Sequence, residues 1–220
     1  MQRDTSRAVR SCDWPCLPFF HANGHRVKCP DGCVGLYNMN LPTFTTKRLL
    51  LTEVTQEDIP SYKKYFVNYE IIKQLSSTVP WPYPSDGVEW FVKNQIIPNQ
   101  GNDKWVWGIH LRTNPNELIG VVDLWRDEIP ENRGFWLGEP FWKQGIMTEA
   151  VSPITEYAFT CLGFEKLIFS NAKGNLGSRR IKEKTGAIYL RTEPASFVDP
   201  SYTEHEIWEL TKQRWKQYQS

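Results

Sequence analysis

The feature that most constrains this chain is a change of period inside one short stretch. Residues 133–138, Arg-Gly-Phe-Trp-Leu-Gly, read as a strand, and residues 139–145 carry turn formers. From Gly145 onward the apolar residues Ala150, Val151, Ile154, Tyr157, Ala158, Cys161 and Leu162 recur at three and four residues, with Gly163 as a C-terminal stop. Pro153 lies inside that run and is expected to kink the helix. Strand, turn and helix in this order make one corner of a layered α/β domain. The helix opens with backbone N–H groups that have no internal partner and with the positive end of its dipole, which suits a phosphate or pyrophosphate. Gly145 permits positive φ and close approach of the backbone to the anion, and Lys143 adds a mobile positive charge.

Elements on either side fit the same architecture. Residues 47–54 read as a strand, followed by a helix capped by Thr55 with Asp58 three residues on and running to about Asn68. The prolines of residues 79–84 force a rigid loop. Ser85 can cap a helix that places Val88, Phe91, Val92 and Ile96 on one side, closed by Pro98. Residues 105–112, 118–125 and 133–138 form a meander of three strands. Past the helix after Gly145 come a strand at 165–170, a helix at about 176–185, and strands near 188–192 and 205–210.

Composition enters as a set of limits. A chain of 220 residues with 40% hydrophobic content can bury one sizeable core. A formal charge of +1 supplies no concentrated basic face, so neither nucleic acid nor an anionic membrane is expected as the main partner. No run reaches the roughly 18 apolar residues of a membrane span, and the N-terminus has no apolar block of signal-peptide length, so the expected location is the cytoplasm.

Residues 1–38 differ in kind from the rest, and the domain boundary is placed at residue 39. Cys12, Cys16, Cys29 and Cys33, with His21 and His25, can assemble a tetrahedral zinc site; the alternatives are a disordered tail or an upstream extension with the working start at Met39. No metal is assigned to the main domain. There, Cys161 reads as a small apolar core residue, and His110 and His205 as structural.

A second run, residues 175–187 with sequence Asn-Leu-Gly-Ser-Arg-Arg-Ile-Lys-Glu-Lys-Thr-Gly-Ala, follows one strand after the first corner. Together the two runs resemble the coenzyme-A-binding motifs of the GNAT superfamily of N-acetyltransferases, most closely the branch of the ribosomal-protein alanine N-acetyltransferases. The resemblance extends from about Leu41 to the C-terminus and includes residues 46–51, the proline-rich loop and residues 206–210. It implies a mixed, strongly twisted sheet of about seven strands with helices on both faces, split near Gly138 so that the cofactor inserts between strands.

It also implies site residues. The backbone of Trp136 and Leu137 would pair with the pantetheine arm of acetyl-coenzyme A, and the loop of Trp142, Lys143, Gln144, Gly145, Ile146, Met147 and Thr148 would hold the pyrophosphate. Asn175 and Ser178 would reach the arm near the thioester, with Arg179 on the nucleotide phosphates. Trp142 and Met147 depart from the usual loop residues, and Lys182 stands where many members place a tyrosine general acid, which leaves Ser178 as the nearest hydroxyl to the departing sulfur.

The implied activity is direct transfer of the acetyl group to a primary amine, a protein N-terminus or a small molecule, in a ternary complex. A backbone N–H near Leu137 would polarise the carbonyl, and Glu139 or Asp123 would serve as base, directly or through water. Glu149 reads as a dipole partner of the helix. The ten tryptophans read as mostly core, while Trp81 and Tyr83 on the rigid loop are candidates for the wall of the acceptor pocket. Two other readings stay open: an acetyl-coenzyme-A-binding sensor without turnover, and a zinc-dependent targeting module in residues 1–38. Oligomeric state is not legible in the sequence.

Overall fold

The computed structural model describes residues 41–101, 103–126 and 131–219. The cysteine and histidine cluster of residues 12–33 lies outside them. Among the described residues there are eight strands and six α-helices. The strands are β1 (Phe44–Thr45), β2 (Leu49–Glu53), β3 (Lys104–Leu111), β4 (Asn114–Trp125), β5 (Arg133–Leu137), β6 (Lys166–Ala172), β7 (Ile188–Pro194) and β8 (Glu204–Thr211). They form a five-stranded sheet in the order β1-β2-β3-β4-β5 and a three-stranded sheet in the order β6-β8-β7, antiparallel at every pairing. The sheets approach one another at one end, where Asn132 N–H donates to the Ile168 carbonyl and Ile168 N–H donates to Asn132 Oδ1. At the other end β5 runs out at Leu137 beside a cleft. This is the split expected near Gly138, and the eighth strand is the short β1.

Alternation along the strands feeds two cores. Leu49, Leu51, Trp105, Trp107, Ile109, Val122 and Leu124 face α4 (Ile146–Thr160), which buries Ile146, Met147, Ala150, Val151, Ile154, Ala158 and Phe159 in the same cluster. Val54, Val106, Leu118, Val121 and Trp136 face α1 (Ile59–Phe66), α2 (Tyr69–Ile72) and α3 (Gly87–Phe91). A bulge sets the alternation: Ile109 pairs with Gly120 but His110 pairs with Leu118, so Ile119 is the extra residue and its side chain joins the α4 core.

Several expectations are revised. The helix expected to reach Asn68 stops at Phe66, because Val67 leaves the helical region and Asn68 is extended, capping α2 through its Oδ1 and the Glu70 N–H. The kink expected at Pro153 is a separate matter, since α4 runs from Ile146 to Thr160 with Pro153 inside it. Cys161 is exposed at the end of α4 rather than buried, since it falls at the cap, one residue past the last helical turn. Trp90 and Trp81 are exposed, while Trp105, Trp107, Trp136, Trp208 and Trp215 are core.

Candidate active site

The loop from β5 into α4 is held by contacts that fix its backbone. Gly145 caps α4 with φ +74°, in the left-handed region, and Lys143 also has positive φ, +61°. A Cβ on Gly145 would meet nothing closer than Arg48 Nη2 at 3.7 Å, so the glycine answers to conformation rather than to space. Arg48 straps the loop: its Nη1 donates to the Gln144 carbonyl at 2.9 Å and its Nε to Glu149 Oε2 at 2.7 Å. Glu149 Oε1 accepts from Thr46 Oγ1 and from the Arg48 N–H. Burial works to raise the Glu149 carboxyl pKa, and these hydrogen bonds from Thr46 and Arg48 outweigh it, holding the group below the usual glutamate value. Glu149 therefore ties the β1–β2 turn to the start of α4.

Between the end of β5 and the helix of residues 176–184 lies a cleft of about 490 Å³, a size suited to a small-molecule ligand. One wall is Phe135, Trp136, Leu137 and the start of α4 with Gly145, Ile146, Met147 and Thr148; the facing wall is α5 (Leu176–Lys184) with Asn175. Glu70, Ile71, Lys73, Gln74 and Leu75 line a third side. A second, more open recess on Thr46, Arg48, Gly145, Thr148 and Lys184 shares Gly145, Thr148 and Lys184 with the cleft.

The two runs read from the sequence thus meet across one opening, with differences in detail. Gly138 N–H donates to the Ile119 carbonyl and Trp125 N–H to the Asn132 carbonyl, so the even-numbered residues of β5 point their backbone groups at β4. Trp136 is one of these: its amide faces β4, and Phe135 and Leu137 are the residues whose N–H groups turn toward the cleft. The Leu137 carbonyl accepts from Trp142 Nε1 at 2.7 Å. Trp142 thus braces the strand end, and Gln144 braces the turn by donating from Nε2 to the Pro140 carbonyl.

On α5 the helical period sorts the cations. Gly177, Arg180, Ile181 and Lys184 line the cleft, three and four residues apart. Arg179 points the other way, to Glu183 Oε1 at 2.9 Å and Glu206 Oε1 at 3.3 Å, and it does not line the cleft. Asn175 Oδ1 accepts from the Ser178 N–H and caps the helix. Ser178 lines the cleft, and its Oγ accepts from Lys182 Nζ at 2.6 Å.

Neither base candidate is on the cleft's floor. Asp123 pairs with Gly134 across β4 and β5, on the face covered by α1, where the missing Cβ of Gly134 leaves room for its carboxylate. Burial pushes its pKa up to about 6, against the pull of Lys104 and of backbone N–H groups including that of Gly134. Glu139 sits in the turn between Leu137 and Phe141, both of which line the cleft, and its Oε2 accepts from Asn68 Nδ2 at 2.7 Å. Of the loop aromatics, Tyr83 packs edge-on against Phe66 and Trp81 against Tyr69, and neither lines the cleft.

Sequence reasoning missed the third side, residues 70–75, which carries no motif, and missed Arg48 as the strap. The pairing of Arg48 with Glu149 spans 101 residues of sequence and leaves no local signal.

Comparison with known proteins accords with this geometry. The family described as "Acetyltransferase (GNAT) domain" matches residues 48–188, and the chain belongs to it. Membership in that family makes the chain an acyltransferase. Among solved structures, an acetyltransferase from Agrobacterium tumefaciens superposes with a TM-score of 0.62 at 22% identity, covering 82% of this chain and 100% of that one. The ribosomal-protein-S5-alanine acetyltransferase of Vibrio fischeri gives 0.66 at 13% identity, over 79% and 98%. Mycobacterium smegmatis RimJ, solved with a coenzyme A disulfide, gives 0.63 at 13% identity, over 75% and 82%. No curated protein matches the chain in sequence. Among the described residues no helix is long and apolar enough to cross a membrane, and no cluster of His, Cys, Asp and Glu is arranged to hold a metal ion.

Proposed function

We propose that this protein transfers the acetyl group of acetyl-coenzyme A to a primary amine, and that the cleft between β5 and α5 holds the cofactor. The observation that carries the reading is the cleft's lining: the strand end, the glycine-capped helix start and the helix of residues 176–184 converge on one opening. In this reading the first N–H groups of α4, at Ile146, Met147 and Thr148, take the pyrophosphate, helped by Lys143, Arg180 and Lys184. The pantetheine arm runs along Phe135 and Leu137, and a backbone N–H there polarises the thioester carbonyl as negative charge develops on its oxygen.

The acceptor amine enters from the side of residues 70–75. Glu139, beside that entrance and oriented by Asn68, takes the proton as the amine attacks, directly or through one water. Asp123 is the second candidate, since a carboxyl with a pKa near 6 is a competent base at neutral pH. Two similar structures carry names or titles of ribosomal-protein or Rim-type acetyltransferases, which favours a protein N-terminal amine over a small molecule. Residues 39–220 form the transferase domain in this reading, with 1–38 as an extension and the cytoplasm as the site of action.

The test is release of free thiol from acetyl-coenzyme A on mixing with peptides bearing different free N-termini and with small amines. Mass spectrometry of the acceptor should show one acetyl group added. Binding of acetyl-coenzyme A without transfer to any peptide or amine would instead establish a sensor.

A further inference from the structure

Behind Ser178, which lines the cleft, α5 buries a lysine that the chemistry above leaves unused. Lys182 lies one turn after Ser178 on α5 and is 1% exposed. Its Nζ sits 5.6 Å from the ring centroid of Phe135 and 5.7 Å from that of Phe169. Its hydrogen bond goes to Ser178 Oγ, at 2.6 Å. An apolar residue would fill such a place without the cost of burying an ammonium, so the position asks what the amine does.

The charged groups around it come from every packed element. Arg133 on β5 opposes a positive charge on Lys182, while Glu131, just before β5, and Glu206 on β8 favour one. On its own helix, Arg179 and Glu183 pair with each other, and Arg179 also reaches Glu206. Burial first, and Arg133 second, push the amine well below the ordinary lysine value.

The direction of the hydrogen bond matters. With Nζ donating to Ser178 Oγ, the hydroxyl's own hydrogen is turned away from Lys182, and Ser178 lines the cleft. Once the amine has given up a proton, the same contact can run in reverse, with the hydroxyl donating to Nζ.

We propose that Lys182 and Ser178 form a proton relay to the sulfur of coenzyme A, in which the Ser178 hydroxyl touches the sulfur and Lys182 acts through it. The proposal rests on the reading of the cleft as the cofactor site. As the bond from the acetyl carbon to sulfur breaks, its electron pair goes to sulfur. The Ser178 hydroxyl proton moves to sulfur, and a proton moves from Lys182 Nζ to Ser178 Oγ, leaving a neutral amine and an intact hydroxyl. The proton lost by the acceptor amine goes to the base, and Lys182 is recharged from solvent through Ser178 after coenzyme A departs. An ammonium whose pKa burial and Arg133 bring down is a stronger acid than an ordinary lysine.

The experiment uses coenzyme A itself bound to the full chain, with thiolate absorbance in the ultraviolet followed against pH. In the wild type the bound thiol should titrate below the value of about 8.5 typical of a free thiol. Lys182→Met and Ser178→Ala should each raise that midpoint by about one pH unit, and the double variant should go no further, as expected for members of one relay. A purely structural Lys182 would change melting temperature or affinity in Lys182→Met and leave the midpoint of the bound thiol where it was, which overturns the relay. Should Lys182→Met not fold, Ser178→Ala decides: an unmoved midpoint there also overturns it. Failure of the wild type to bind coenzyme A rejects the cofactor site itself, and the relay with it.

Discussion

Two sides of the cleft are built by different means. On the β5–α4 side the geometry is set in the backbone: a left-handed glycine caps the helix, Trp142 holds the Leu137 carbonyl, and Arg48 and Glu149 clamp the turn from a distant strand. On the side of residues 70–75 the Val198 N–H and Asp199 N–H hold the backbone from behind through the Leu75 and Lys73 carbonyls, and the lining is made of side chains such as Lys73, paired with Glu70. A backbone-defined wall suits a ligand that is the same in every turnover. A wall of side chains can be altered residue by residue without disturbing the fold, which suits an acceptor that differs between members of a family.

If that contrast is right, substitutions on the first wall should remove cofactor binding and those on the second should change only the choice of acceptor. The largest effect is expected at Gly145. Gly145→Asp forces a side chain into positive φ and sets a carboxylate against the phosphates, so affinity for acetyl-coenzyme A should fall by about 100-fold or more, read by calorimetry. Next comes Glu149→Ala, which frees Thr46 and Arg48. It should weaken cofactor binding about tenfold and lower stability by about 1–2 kcal/mol in thermal unfolding. Because the Glu149 carboxyl is held below its ordinary pKa, its contribution is present above the unfolded value and lost as pH falls through the folded one. The wild type should therefore lose its advantage over Glu149→Gln in acid, as pH falls below the ordinary glutamate value.

The bases come third. Glu139→Gln should lower kcat about 10²-fold with unchanged cofactor affinity if Glu139 takes the proton, and should remove the acid limb of the rate profile. Asp123 tests the competing assignment and has a second readout. A carboxyl whose folded pKa is raised to about 6 binds protons more tightly in the native state, so stability should decline as pH rises from about 4 to 6. Asp123→Asn should abolish that decline and raise the melting temperature at pH 7. An acid limb that vanishes in Asp123→Asn and survives in Glu139→Gln would transfer the role of base to Asp123.

The smallest effect is expected at Trp81, 43% exposed and outside the cleft. Trp81→Ala should leave cofactor affinity unchanged and alter KM for any acceptor by less than about threefold. A larger change confined to peptide acceptors would extend the acceptor surface along the proline-rich loop.

This contrast also explains what could be read in advance. Period changes announce strands and helices, and a glycine at a strand-to-helix turn announces an anion site, so the β5–α4 corner and the order of elements were legible before any coordinates. The capping pair of Thr55 and Asp58 was legible too: the Thr55 N–H donates to Asp58 Oδ2 at 2.8 Å. Facing within a helix was harder. Arg179 and Arg180 are adjacent in sequence, and only the packing of α5 shows which one meets the cleft. Likewise the parity of β5, which turns the N–H of Leu137 rather than that of Trp136 toward the opening, depends on its register with β4. The clamp of Arg48 on Glu149 and the lining by residues 70–75 come from chain segments far apart in sequence, which no local pattern brings together.

Hydrogen–deuterium exchange of the wild type with and without acetyl-coenzyme A tests the central claim most directly. The account predicts new protection at Phe135 and Leu137, at residues 145–148 and along residues 176–184, with residues 79–84 unchanged. Protection elsewhere in the chain, or none at saturating cofactor, would contradict the assignment of this cleft as the acetyl-coenzyme A site.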